Sequence, residues 1–254
     1  VLSKTRTGAR SKSVVSNPME QFTIKPIIPI EVGGVDISFT NSSLFMVLAV
    51  VVSTLVFGLC LRKRTIVPSV AQSVPETVYE FVASLLKENV GVEGLKYFSF
   101  IFTVFLFVAF GNLLGLFPYA FTFTSHLAAV GGLSVIALLF NICIGIRKKK
   151  WGYLRTFLPK GIPAALAPLI VPIEMISFLS KPFSLTVRLV ANMTVGHIML
   201  KIIAGFIVAL GIGGIVPLAF DGCIIVFEIF IALLQAFIYT VLSCIYLGDA
   251  LHSH

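Results

Sequence analysis

Long apolar runs, each closed by a proline or a basic cluster, divide this chain into spans. Ser43 to Leu61 is the first, closed by Arg62-Lys63-Arg64. Tyr97 to Phe117 is the second, stopped by Pro118, and Leu127 to Ile146 is the third, closed by Arg147-Lys148-Lys149-Lys150 and Trp151. These runs approach or exceed the ~18–20 apolar residues that cross a bilayer. From Gly161 the charge nearly vanishes. Residues 161–210 and 215–248 read as two very long helices separated by the glycine-rich GIGG at 211–214. The first would be ~75 Å long if wholly helical, against a hydrocarbon core of ~30 Å. It is either strongly tilted or broken near Pro182, and hydropathy leaves that choice open.

The remaining segments are of other kinds. Pro68 and Pro75 break the chain after the first span. Glu76 to Glu88 then puts Val78, Phe81, Val82, Leu85 and Leu86 on one face and charges nearer the other. This predicts an amphipathic helix over about 76–89, too short and charged to span, lying at the membrane surface. Pro18 to Phe39 mixes Pro, Gly and short apolar runs and reads as irregular or surface-lying. Residues 1–16 are basic, Ser-rich and free of acids, which fits the remnant of a processed precursor or a basic arm at the start of a mitochondrial protein. The expected organisation is thus a leader and irregular segment over 1–39 and a single membrane domain over 40–254.

Composition agrees with an all-α polytopic membrane protein. The chain is 57% hydrophobic and 12% charged, with a mean hydropathy of +1.03. A soluble domain carries about twice that charge. The net charge of +8 does not argue for nucleic acid, because the basic residues sit in the leader and in clusters at span ends. Two of those clusters follow spans one and three, while the connection after span two, PYAFTFTSH, has no Lys or Arg. The charge rule therefore puts residues 62–96 and 147–160 on the inner side and that connection on the outer side. It would leave the basic leader outside, against the rule, which we ascribe to processing or an unusual insertion route. Cys60, Cys143, Cys223 and Cys244 read as small core residues, and the four histidines show no metal-ligand spacing.

The chemistry lies in the two long stretches. On an ideal helix Glu174, Ser177, Lys181, Ser184, Arg188 and Asn192 fall within about 40° of one line, while His197 points to the opposite face from Arg188. An arginine at mid-membrane costs about 2.5–3.5 kcal/mol, so it normally faces a protein interior or a wet cavity and has a partner. A structural alternative is a Glu174–Lys181 ion pair with Arg188 snorkelling to a headgroup. Snorkelling suits Arg188 poorly, since apolar sequence runs well beyond it. In the second stretch Asp221, Glu228, Gln235, Tyr239 and Tyr246 lie within about 20° of one line. Intramembrane acids mark an ion or proton path by default; the alternative is interhelical hydrogen bonding at about 0.6–2 kcal/mol per contact.

If the two stripes met, they would enclose a buried lane holding one fixed cation, Arg188, beside Asn192 and Gln235. Glu174, Asp221, Glu228 and His197 would lie toward its ends. Arginine cannot deprotonate, so Arg188 cannot relay a proton, but it can draw the proton off a passing carboxylic acid. Glu and His can relay. Such a lane suits the loading and unloading of protons on a carboxylate supplied by a partner. There is no nucleophile–base pair, phosphate loop or metal constellation, so no cofactor and no self-contained active site is expected. A stand-alone secondary transporter would fit internal repeats, and none is convincing here. A plain scaffold leaves Arg188 and Glu228 unexplained.

At these residues the sequence resembles subunit a of the F-type ATP synthase. The matching pieces are EMISFLSKPFSLTVRLVANMTVGH (174–197) and FEIFIALLQAFIYTVLSCIYLGDAL (227–251), with GNLLGLFP (111–118) and NPMEQF (17–22). His197 with Glu228 looks like the mitochondrial and alpha-proteobacterial branch. The resemblance implies a stator subunit beside the rotating ring of c subunits, held with peripheral-stalk subunit b and other stator subunits. It implies a mitochondrial inner membrane, or less so a bacterial one. It implies that Arg188 is the essential charge facing the ring carboxylate, flanked by Asn192 and Gln235. His197 and Glu228 would line the half-channel from the outer side, and Glu174 would lie toward the inner side. Asp221, Ser184, Tyr239 and Tyr246 are further candidates for channel lining. The family also implies steeply inclined long helices, which favours tilt over a break at Pro182. Val190 and Val195 stand where aromatic and small residues are common.

Overall fold

A computed structural model describes residues 23–29, 31–32, 35–36, 38–62, 69–117, 120–149 and 167–252. The basic leader and the 150–166 segment lie outside the described residues.

Among the described residues six α-helices form the body. They are α1 (Asn41–Cys60), α2 (Val70–Val90), α3 (Phe98–Gly115), α4 (Leu127–Lys149), α5 (Ala167–Leu210) and α6 (Ile215–His252). Five are long and apolar enough to cross a membrane, and α2 is the exception. Local chemistry sets their starts. Thr40, in extended conformation, accepts from the Ser43 amide at the head of α1, and Ser69 accepts from the Gln72 amide at the head of α2. Each satisfies one of the amides that a helix start leaves without an intrahelical acceptor. Gly91, at φ 84, ends α2 where a side chain would be strained.

Two expectations need correction. The amphipathic helix begins at Val70 and runs through Pro75, because Ser69 caps it before the proline and the ring removes only one interior donor. The segment before α1 is not wholly irregular: Pro26–Ile28 (β1) pairs antiparallel with Phe39–Thr40 (β4), and Glu31–Val32 (β2) with Val35–Asp36 (β3). The pairing of β1 with β4 is held beside the start of α1, where the Asn41 amide donates to the Lys25 carbonyl and the Asn41 side-chain oxygen accepts from the Lys25 amide.

The helix α5 settles the question posed by its prolines. It is continuous for 44 residues through Pro172 and Pro182. At 1.5 Å per residue it is about 66 Å long, roughly twice a hydrocarbon core, so it must incline strongly. A 3-10 turn at Gly211–Gly214 reverses the chain into the 38-residue α6. Gly211 takes φ +56, and a Cβ on Gly214 would come within 2.6 Å of the Ile207 carbonyl oxygen, so the reversal needs both glycines.

The helix α6 is the hub, packed against α2, α3, α4 and α5. Val82, Leu86 and Val90 of α2 join Ile101, Val104, Phe105 and Val108 of α3, Leu185, Leu189 and Met193 of α5, and Tyr239, Cys244 and Leu247 of α6 in one buried cluster. A Cβ on Gly248 would meet the Asn89 carbonyl oxygen at 2.8 Å, so α2 closes tightly on the end of α6. At that end of the bundle Lys148 of α4 pairs with Glu93, just before α3. The connection at residues 120–126 lies at the other end. We name the first end inner and the second outer, following the expectation from the charge pattern.

Candidate proton-transfer site between the two long helices

The two polar stripes have different surroundings. On α5 Glu174, Ser177, Lys181, Ser184 and Arg188 are exposed, and Asn192 is half-buried. On α6 Glu228, Gln235, Tyr239 and Tyr246 are buried, and Asp221 is half-buried. The stripes therefore do not close on each other into one buried lane. The reason is packing: Leu185, Leu189 and Met193 form the seam of α5 that faces the bundle, and Arg188 is turned away from it by helical geometry. Among the described residues Arg188 has no ion-pair or hydrogen-bond partner. It stands at the middle of α5, flanked on the outer surface by exposed Phe183, Val187 and Val195.

His197 is on the opposite side of α5 and buried, as its nine-residue separation from Arg188 requires. It lines a cavity of about 350 Å³ together with Leu116, Asn192, Gly196, Phe227 and Glu228. Gly196 brings α5 and α6 together, since Glu228 fills the place that a Cβ at 196 would take. Both carboxylate oxygens of Glu228 are buried without a hydrogen-bond partner among the described residues. A buried carboxyl group with no protein donor must carry a proton or meet water. Asp221, two turns earlier on α6, is within electrostatic reach of it. Asn192 links two regions: it lines the cavity and sits one turn along α5 from Arg188.

Other stripe residues lie elsewhere. Tyr239 is 1% exposed, and its hydroxyl is 3.4 Å from Ser134 of α4, which in turn accepts from Thr186 of α5 at 2.8 Å. It does not line the cavity. Gln235 is buried beside Ala232 and Ala236, close to where Asn112 of α3 donates to the Ala232 carbonyl at 3.1 Å. No hydrogen bond joins it to Arg188 among the described residues. Tyr246 meets the first half of α5 at the inner end. Lys181 Nζ lies 5.8 Å from its ring centre, and Phe178 packs edge-on against it.

Sequence reasoning missed two residues. Asp249 is within electrostatic reach of Lys181 and Glu174, completing a charged group at the inner end. It lies about 60° off the α6 stripe on an ideal helix, but it is the last acid of the stretch, one turn after Tyr246. Thr122 has its hydroxyl 3.1 Å from His197 Nε2, across 75 residues of chain. No sequence periodicity carries that contact.

A buried acid, a histidine and an arginine arranged in this way along two inclined helices invite comparison with known proteins. The sequence profile described as ATP synthase A chain matches residues 43–248. The chain belongs to the ATP synthase A chain family. It is 52% identical over 239 residues to ATP synthase subunit a of Rhodospirillum rubrum, covering 94% of this chain and 99% of that one. The corresponding protein of Paramagnetospirillum magneticum is 52% identical over 247 residues, with 94% and 100% covered. That of Pelagibacter ubique is 46% identical over 243 residues, with 95% and 100% covered. Membership makes this a multi-pass membrane subunit of an ATP synthase, and not one that catalyses by itself.

Proposed function

We propose that this chain is the proton-translocating stator subunit of a rotary ATP synthase, with two half-channels that meet at Arg188. The observation that carries the reading is the position of Asn192. It joins the cavity of Glu228 and His197 to Arg188, exposed at mid-helix and without a partner among the described residues.

The exposed face around Arg188 supports a protein partner. Phe183, Val187 and Val195, beside it on α5, are exposed and apolar. Lipid suits those side chains and does not suit an arginine at their centre. The occupant that satisfies both is an apolar helix surface bearing a carboxyl group, as a ring of c subunits would present. Peripheral-stalk subunit b and other stator subunits complete the partners of this reading.

The chemistry then follows from the side chains. A proton enters the outer cavity and is held by Glu228 or His197, then passes near Asn192 to a ring carboxylate. The neutral carboxyl group can leave Arg188 and travel through lipid. A carboxyl group arriving on the other flank meets the arginine, whose permanent charge favours the carboxylate. Its proton leaves by the inner group of Glu174, Lys181, Tyr246 and Asp249. Arg188 itself blocks direct passage, since it repels a proton and cannot relay one. The relatives named above are bacterial, which supports a bacterial inner membrane ahead of the mitochondrial one that the sequence resemblance implied.

The test is ATP-driven proton pumping in vesicles carrying Glu228→Gln. We expect pumping slowed by an order of magnitude or more, with ATP hydrolysis and assembly retained. Unchanged pumping over a range of pH would remove Glu228 from the path.

A further inference from the structure

The connection between α3 and α4 reaches back to touch the cavity. Its Thr122 is 1% exposed, and its hydroxyl stands 3.1 Å from His197 Nε2 and 3.3 Å from the Gly115 carbonyl oxygen. Two glycines on α3 make this approach possible. A Cβ on Gly115 would come within 2.7 Å of Thr122 Cγ2, and one on Gly111 within 2.5 Å of the Phe123 ring.

We propose that Thr122 is a positioning residue that fixes the tautomer of His197. The inference rests on His197 acting in the proton path as described above. A threonine hydroxyl has one proton to give and two lone pairs to accept with. Gly115 ends α3, so its carbonyl is among those that a helix leaves without an intrahelical donor. A carbonyl can only accept. The hydroxyl proton therefore goes to Gly115, and the hydroxyl oxygen accepts from His197 Nε2–H. The imidazole is held with its proton on Nε2, so Nδ1 is the nitrogen that gains and loses the transported proton. In a histidine the partner of one ring nitrogen sets the chemistry of the other.

Charged and titratable groups stand near the ring on several sides. Lys201 is within electrostatic reach on α5 itself. Glu228 lies across the cavity on α6, with Asp221 behind it. The 120–126 connection adds His126, stacked on Phe121, and residues 111–117, the end of α3 and the two residues after it, carry no titratable side chain.

The experiment compares Thr122→Val, which keeps shape and loses the hydroxyl, with Thr122→Ser, which keeps the hydroxyl, in the assembled complex. ATP-driven pumping is followed against outer pH beside His197→Ala and the Thr122→Val/His197→Ala pair. Thr122→Val is expected to slow pumping roughly three- to tenfold, the worth of one hydrogen bond, and to displace the pH profile. Serine restores both, and valine adds nothing once His197 is gone. A native pH profile in Thr122→Val overturns the proposal. So does an equal loss in the His197→Ala background, which marks Thr122 as merely structural. If His197→Ala itself pumps normally, the role of His197 in the path fails, and with it this inference. Nitrogen NMR of the histidines in the native complex gives a reading independent of whether the variants assemble. A neutral His197 protonated at Nε2 is expected, and protonation at Nδ1 overturns the proposal.

Discussion

The Glu228 carboxylate occupies the space that a side chain on Gly196 would need. The contact makes a glycine in the middle of a long helix necessary, although glycine there costs about 1 kcal/mol against alanine. Its use is to let the acid of α6 lie against the α5 backbone, beside His197.

Gly196→Ala should therefore separate stability from function. The group in the way is the far end of a flexible side chain, so the acid can swing aside while the helices stay packed. Thermal stability of the solubilised complex should hold or rise slightly. Proton pumping should fall about tenfold or more, because a carboxylate displaced by even 1 Å is misplaced for transfer. Native pumping in this variant would show that the position of Glu228 is not critical.

Gly111→Ala presents the opposite case. Its Cβ would run into the Phe123 ring, which is 3% exposed and packed against Phe107. A buried ring cannot step aside at low cost, and overpacking of this kind destabilises by about 1–3 kcal/mol. A lower melting temperature or poorer assembly is expected, measured on the purified complex, and an unaltered melting temperature would contradict the packing described.

Tyr239→Phe tests how far the α6 stripe is functional. Its hydroxyl reaches Ser134 at a long 3.4 Å and does not face the cavity. Such interhelical hydrogen bonds average about 0.6 kcal/mol in membrane proteins. Pumping within twofold of native is expected, and a large loss would return Tyr239 to the proton path.

His126 gives a dependence on outer pH. It lies just ahead of α4, stacked on Phe121 with ring centres 4.9 Å apart, and burial holds its imidazole below the usual range. The unfolded segment thus binds a proton more readily than the folded one. Stability contributed by neutral His126 is present above about pH 6.5 and falls as the outer side is acidified below that value. His126→Gln should flatten that acid loss, read as hydrogen exchange of residues 120–126 against pH. An unchanged acid loss would assign the titration to another group.

Much of this was legible in the sequence. The spans follow from apolar length, and the opposite facing of Arg188 and His197 follows from nine residues at 100° each. Periodicity could not say which face of α5 would be buried. Leu185, Leu189 and Met193 outweigh the polar stripe in burial, so Arg188 is turned outward, and the closed lane that would follow if the two stripes met does not form. Nor could it separate Tyr239 from Glu228, which share a helical line but face different neighbours. Contacts such as Thr122 with His197 depend on how a connection folds back over two glycines. The start of α2 was misjudged because Pro75 looked like a breaker, whereas Ser69 had already capped the helix.

The central claim is that Arg188 is the charge facing a proton-carrying partner and keeping the two half-channels apart. The most direct measurement is ATP-driven acidification of vesicles carrying the native chain or Arg188→Ala, with ATP hydrolysis and assembly followed in parallel. Because Arg188 is exposed and has no ion-pair or hydrogen-bond partner among the described residues, the variant should assemble and lose coupled pumping entirely. Pumping at the native rate by the assembled Arg188→Ala complex would contradict the account.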